Sequence, residues 1–333
     1  MKKTLLCAFG LFAACLVASA QVEYVCFDMR GSFNETLSRP DGSDALQGKA
    51  RFLGEHLNLM VKGKLGSSLT YFLRQRFTKP LYNAEVPLNA TDILSLTWDI
   101  SPKWSLQAGK LPGLIGGFEW DETPIDLYYW DLFANNISEV YALGVAGMFR
   151  PAEEQMLQLQ VTQSLVSPGK ADVWHVALGW YGRFSSWWST IWSVNYMDDI
   201  YHHRMGYVSL GNRFHVGPVA LEWDIMYRRS MIQRQAGLDM STVARLIVEA
   251  GSKWRVFSKG GYDFNDACNV DPDGIAYDLT VAPGTRHSFL GVGAEYFPLG
   301  NRDIRLHALA VANNTTRELN FLAGITYRLY LVR

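Results

Sequence analysis

The sequence predicts an all-β fold: a transmembrane, up-and-down, antiparallel β-barrel of about 16 strands that follows a cleaved signal peptide. Three observations carry this expectation. Beyond Ala20, apolar and polar side chains alternate with period 2 over stretches of about nine to twelve residues, the spacing of strands and not of helices. No apolar run in that region approaches the ~20 residues that a membrane-spanning helix needs, although 48% of the chain is hydrophobic, 13% aromatic and only 19% charged. Every second connection between alternating stretches is short and the others are mostly longer, as in barrels with turns at one membrane face and loops at the other.

The first element is a processing segment. Lys2 and Lys3 precede the apolar stretch Leu5 to Val17, and Ala18, Ser19 and Ala20 offer the small side chains that a signal peptidase accepts before Gln21. Residues 1–20 therefore read as a signal peptide and 21–333 as the exported barrel. A buried apolar helix is the alternative; the short stretch, its basic front and the polar alternation directly after it oppose that. Loss of the two lysines leaves 29 basic against 32 acidic residues, a net charge of about −3 in place of −1. That balance has no basic excess for a nucleic-acid backbone, so nucleic acid is not expected as a partner. Cys7 and Cys15 leave with the segment, while Cys26 and Cys268 are too few for a disulfide framework and are expected to be unpaired.

In chain order the strands centre near Asp28, His56, Phe72, Leu96, Gln107, Val145, Gln160, Gly179, Trp192, Leu210, Trp223, Ile247, Lys259, Val292, Ala308 and Ile325. Leu94, Leu96, Trp98 and Ile100 form one face against Ser95, Thr97 and Asp99; after the turn Ser101-Pro102-Lys103, Trp104, Leu106 and Ala108 resume it. Leu157, Leu159 and Val161 oppose Gln158, Gln160 and Thr162, and Val219, Leu221, Trp223, Ile225 and Tyr227 oppose Glu222, Asp224 and Arg228. Thr242 to Ala250 has an apolar spacing that also suits a helix. A soluble exported β-sandwich binding protein shares the alternation, but it buries its apolar faces in a core. Here the other face is rich in Gly, Ser, Gln and Asn, as a wet lumen requires. Trp98, Trp104, Trp180, Trp187, Trp188 and Trp254 gather at strand ends, like the girdles at membrane interfaces. Sixteen strands would enclose an aqueous channel, whereas eight would be filled by side chains.

One connection breaks the pattern, the 28-residue stretch Leu111 to Ser138. It opens with the flexible run Pro112 to Gly117 and is too aromatic to sit in water. Folding into the lumen as a constriction loop would bury its rings and present Glu119, Asp121, Glu122, Asp126 and Asp131; an extracellular flap or subunit contact is the alternative. Strand parity turns ten basic side chains inward: Arg30, Arg74, Arg76, Arg183, Arg213, Arg228, Arg255, Lys259, Arg305 and Arg328. The clearest inward acids, Asp28, Asp99, Glu222, Asp224, Asp263 and Glu295, are fewer. Charges on the lipid face would cost ~2–4 kcal/mol each, which supports the parity. A basic ladder suits anions; pairing of each arginine with a wall carboxylate is its alternative.

Ser105 to Glu119, SLQAGKLPGLIGGFE, runs from a strand through Gly-Lys into a Pro-Gly-rich loop, and Trp254 to Asn265 reads WRVFSKGGYDFN. On these motifs the chain resembles the outer-membrane porins related to the phosphate-selective porins O and P, in their Bacteroidetes-type form. The resemblance implies a 16-stranded barrel in the lipid of the cell outer membrane, often a homotrimer, with its third loop in the lumen. It also implies a water-filled diffusion channel for small polar or anionic solutes such as phosphate. The chain departs from that group in its shorter length and in ending Tyr327-Arg328-Leu329-Tyr330-Leu331-Val332-Arg333 without a terminal aromatic residue.

An outer-membrane barrel enzyme is the competing class, and it needs a nucleophile with a base in reach. His175, His287 and His307 have inward parity but lie in no motif with a serine and an orienting carboxylate. His202 and His203, beside Asp198 and Asp199, read as surface imidazoles. Zinc-ligand spacing, a phosphate-cradling glycine loop and a nucleotide fingerprint are not found in the sequence, so no enzyme activity, metal or cofactor is expected.

Overall fold

Period-2 alternation becomes pairing along the chain. A computed structural model describes residues 20–38, 47–80, 88–137, 139–201, 203–230, 238–266 and 280–333. Within them run β1 (Ala20–Ser38), β2 (Gln47–Leu65), β3 (Leu69–Arg76), β4 (Thr91–Asp99), β5 (Trp104–Pro112), β6 (Tyr141–Phe149), β7 (Gln155–Gln163) and β8 (Trp174–Ser185). There follow β9 (Trp188–Asp198), β10 (Arg204–Val216), β11 (Val219–Ser230), β12 (Asp239–Ala250), β13 (Trp254–Asn265), β14 (Arg286–Tyr296), β15 (Ile304–Asn313) and β16 (Leu319–Val332). Each pairs with its neighbour in sequence, and β16 returns antiparallel to β1 through Asp28↔Arg328 and Leu37↔Leu319. Closure leaves no sheet edge, the condition for a sheet to stand in hydrocarbon. All sixteen expected centres fall inside these strands.

The two faces decide between a barrel and a sandwich. Leu94, Leu96, Trp98 and Ile100 are each 41% to 49% exposed, whereas Ser95 and Ser105 are buried. Likewise Leu221, Trp223 and Tyr227 lie open outside while Glu222, Asp224 and Arg228 are enclosed. A soluble sandwich would show the reverse, so that alternative is excluded: the apolar face is turned outward, to lipid. Aromatic pairs mark one rim, near the short turns: Trp104 stacks on Phe149 at 4.4 Å, and Trp254 lies tilted against Tyr296 at 4.7 Å. At that rim Gly217, with φ 58°, makes the tight link from β10 to β11 that a Cβ would strain.

Two elements depart from the sequence reading. β12 is a strand throughout, because its backbone groups are claimed on both sides, by β11 through Glu222↔Arg245 and by β13 through Arg245↔Lys259. Pairing overrides its helix-compatible spacing. β1 and β2, with 19 residues each, are longer than the expected stretches; β2 runs past the end of β3, which pairs only as far as Asn58↔Arg76. Cys26 is buried and free. Cys268, His202 and all of the expected signal peptide except Ala20 lie outside the described residues.

Candidate functional site

Between β5 and β6 the chain crosses the barrel interior. It forms α1 (Phe118–Asp121), a 3-10 turn (Pro124–Asp126) and α2 (Leu132–Asn136). Where it meets the wall, its polar backbone is bound by wall side chains. Leu114 N donates to Gln160 of β7 at 2.6 Å, and Ile115 O accepts from Ser193 of β9 at 2.8 Å. Phe118 N and Glu119 N donate to the two carboxylate oxygens of Asp224 on β11, at 2.9 and 2.8 Å, so Asp224 caps α1 from the wall. Leu132 N donates to Asp263 of β13 at 3.0 Å.

Gly116 and Gly117 make this approach feasible. Both have φ 89°, and a Cβ on Gly116 would sit 2.1 Å from Ser193 Oγ. The loop's apolar side rests on an inward bed: Ile115, Phe133 and Ile137 pack with Met197, Met205, Tyr207 and Met226 of β9 to β11. That bed is a finding the sequence did not signal, since a wet lumen was expected on this face.

Every one of the ten expected inward bases has a carboxylate within 4 Å. Arg30 meets Glu55 at 2.6 Å, Arg228 meets Asp239 at 2.8 Å, Lys259 meets Glu119 at 2.6 Å, and Arg305 and Arg328 meet Asp126 at 2.9 and 2.7 Å. These five bases stand behind or beneath the loop. Arg74 and Arg76 share Asp92 at 3.6 and 2.9 Å, Arg183 meets Glu154 at 2.6 Å, Arg213 meets Glu222, and Arg255 meets Glu249 and Glu295 at 2.8 and 3.1 Å. The expected shortage of inward acids is therefore corrected: Glu55, Asp92, Glu139, Asp239 and Glu249 join those read from parity. Arg245 is a further base, bridging Glu122 and Glu222 at 2.6 Å each.

The loop acids divide in the same way. Glu119 and Asp131 are buried, Glu122 is tied to Arg245, and Asp126 to its two arginines. Asp121 has no basic group within 4 Å among the described residues and opens to the lumen. The barrel still encloses it, and this desolvation raises its carboxyl above the usual range, against the pull of Arg213. At Asp126 burial also acts upward, but Arg328 and Arg305 prevail and hold the carboxyl at about 2.

Open space remains on the other side of the loop. A 330 Å³ cavity bordered by His56, Arg76, Lys79, Trp120 and Glu139 shares Trp120, Glu122 and Tyr141 with a 260 Å³ cavity at Arg74, Gln107, Asp121 and Gln158. The latter shares Tyr181 and Ile191 with a 730 Å³ cavity at Lys103, Arg150 and Arg183, near the short turns, and that one adjoins a 390 Å³ cavity at Arg213, Glu222 and Arg255. Arg30, Arg228, Lys259, Arg305 and Arg328 border none of these four.

Among the described residues no serine, imidazole and carboxylate line up in that order at His307 or His175, and His287 Nδ1 meets the hydroxyl of Thr315 at 2.7 Å. Ser32 Oγ lies 3.2 Å from His307 Nε2, yet Glu55 binds the serine hydroxyl at 2.8 Å, and His307 Nδ1 has no hydrogen-bond partner among the described residues. A catalytic base needs its carboxylate on the far imidazole nitrogen. His175 Nε2 meets the side-chain amide of Asn195, at 3.2 Å. Among the described residues no group of three or more His, Cys, Asp or Glu could hold a metal ion.

No family model matches the sequence, and no curated protein matches it. Solved structures do. The barrel is similar to the anion-selective porin from Comamonas acidovorans, with a TM-score of 0.64 at 8% identity over 93% of this chain and 100% of that one. It is similar to OmpT, an outer membrane protein of Vibrio cholerae, folded in vitro, with a TM-score of 0.63 at 10% identity over 93% and 98%. The outer membrane channel DcaP of Acinetobacter baumannii gives 0.62 at 13% identity over 94% and 98%. The fold shared with them is a closed, 16-stranded antiparallel β-barrel. At such identities the likeness extends to the fold alone, and its lipid-facing exterior is an outer-membrane one.

Proposed function

We propose that residues 21–333, after removal of 1–20, form a water-filled diffusion channel for small polar or anionic solutes, phosphate among them, as the resemblance to the phosphate-selective porins O and P implies. The segment 111–138 is its constriction. The observation that carries this reading is the series of cavities with shared lining residues between the loop and the wall from β2 to β8. Assembly as a homotrimer accords with OmpT of Vibrio cholerae, whose similar barrel has a trimer form.

A weak anion preference follows from unequal sharing along the passage. Arg74 and Arg76 divide one carboxylate, Asp92, and Lys79 and Lys110 divide another, Glu139, at 3.0 and 3.9 Å. Across from this cationic excess stands Asp121. Reversal potentials in a KCl gradient test the preference. Wild type is expected on the anion side, and Arg74→Glu with Arg76→Glu should move it toward cations, more at low salt because charges are screened over about 8 Å at physiological ionic strength. A cation-selective wild type indifferent to these changes would contradict the wall as the selective element.

A further inference from the structure

The 3-10 turn is held by its oxygens. Asp126 Oδ1 accepts from Arg305 Nη1 at 2.9 Å, and its Oδ2 from Arg328 Nη2 at 2.7 Å and from Thr123 Oγ1 at 2.5 Å. Ile125 O accepts from Arg30 Nη1 at 2.8 Å and Arg305 Nη2 at 2.9 Å, and Leu127 O from Arg30 Nη1 at 2.6 Å. Three arginines on the adjacent strands β1, β16 and β15 thus converge on four oxygen acceptors of one turn. Arg328 has no carboxylate but Asp126 within 4 Å among the described residues, and Arg305 Nε is buried without a partner. Other groups at the wall are already committed: Glu55 binds Arg30, Glu295 meets Arg305 at 3.2 Å and Tyr128 Oη at 2.7 Å, and Asp28 accepts from Asn58 at 2.8 Å.

We propose that the Asp126 carboxylate, held by Arg305 and Arg328, and the Ile125 and Leu127 carbonyls, held by Arg30 and Arg305, are together the tethered occupant of an oxyanion site, and that a small anion with three or more oxygen acceptors displaces them and frees the turn from the wall. Guanidinium groups bind carboxylate and phosphate oxygens through the same forked donors, so inorganic phosphate satisfies the same cradle. Chloride, with no array of oxygens, does not. The inference rests on the reading of the chain as an anion channel and adds to it a loop released by its own solute.

Calorimetric titration of inorganic phosphate into the refolded full chain in detergent, at constant ionic strength, tests the site without any current. Asp126→Asn removes a charge-assisted competitor, so phosphate should bind about tenfold more tightly than to wild type, or about 1.4 kcal/mol. Asp126→Glu should stay near wild type, and Arg328→Gln in the Asp126→Asn background should abolish the gain. Equal affinity of Asp126→Asn and wild type, or a gain that survives Arg328→Gln, would overturn the proposal. Wild type supplies an independent measurement: phosphate, but not chloride, should change the tryptophan emission as Trp120 and Trp130, 5.6 Å apart on the loop, are released, and no change at saturation would equally overturn it. Failure to conduct in KCl alone would contradict the channel reading and leave the titration to judge the site.

Discussion

Asp131 and Asp126 lie five positions apart on one loop, and their surroundings drive their carboxyls in opposite directions. Asp131 is buried, and that burial, with Glu119 and Asp263 beside it, raises its carboxyl well above the ordinary range. A raised group favours the docked loop while protonated, and its contribution is lost as pH climbs through the raised value. Asp126, held at about 2, contributes at neutral pH and loses that contribution only as pH falls toward 2. Asp131 also caps α2, accepting from Ala134 N at 2.5 Å. Asp131→Asn keeps an acceptor and removes the ionisation, so at pH 8 the Ala134 amide should exchange no faster than in wild type. Asp131→Ala loses the cap, ~1 kcal/mol, and should speed exchange about fivefold. Equal rates in wild type and the alanine variant, by mass spectrometry in detergent, would show that the cap does not hold the helix.

At the scale of elements, the loop depends on two glycines against β9 to β11. Gly116→Ala combines a left-handed φ with a Cβ 2.1 Å from Ser193 Oγ, while Gly300 has a similar φ of 71° and nothing within 4 Å. Gly116→Ala should therefore lift the loop and increase open-channel current noise, and Gly300→Ala should not. Equal noise in both would mean that close approach does not fix the loop. The strands were legible because lipid demands an apolar side chain at every second position, a signal repeated sixteen times. Charge partners were not, and the reason is local. Glu55 and Asp92, which meet Arg30, Arg74 and Arg76, sit where the register shifts, between Arg30↔His56 and Gly31↔Gly54 and between Arg74↔Ile93 and Gln75↔Thr91. A bulge turns such a residue out of parity, so counting by two misses it. Arg245 and Glu249 were hidden by the helix-compatible spacing of β12. The methionine bed on β9 to β11 has inward parity but gives no sign that a loop will cover it.

For the whole molecule, these local effects add up to a division of labour inside one closed wall. Bases on β1, β11, β13, β15 and β16 are neutralised beneath or behind the loop, while those on β3, β8, β10 and the turn-side end of β13 border the open cavities. Net charge counted over the chain therefore says little about the passage, since a buried pair contributes almost no field along it. A barrel that conducts, with its narrowest point at the segment crossing its interior, has a current that depends on that segment. The decisive measurement is single-channel conductance in planar bilayers, for wild type and for a deletion of Leu114 to Trp130. Wild type should give discrete ohmic steps and the deletion larger ones; absence of steps from both, or steps of equal size, would contradict a conducting barrel narrowed by its inner segment.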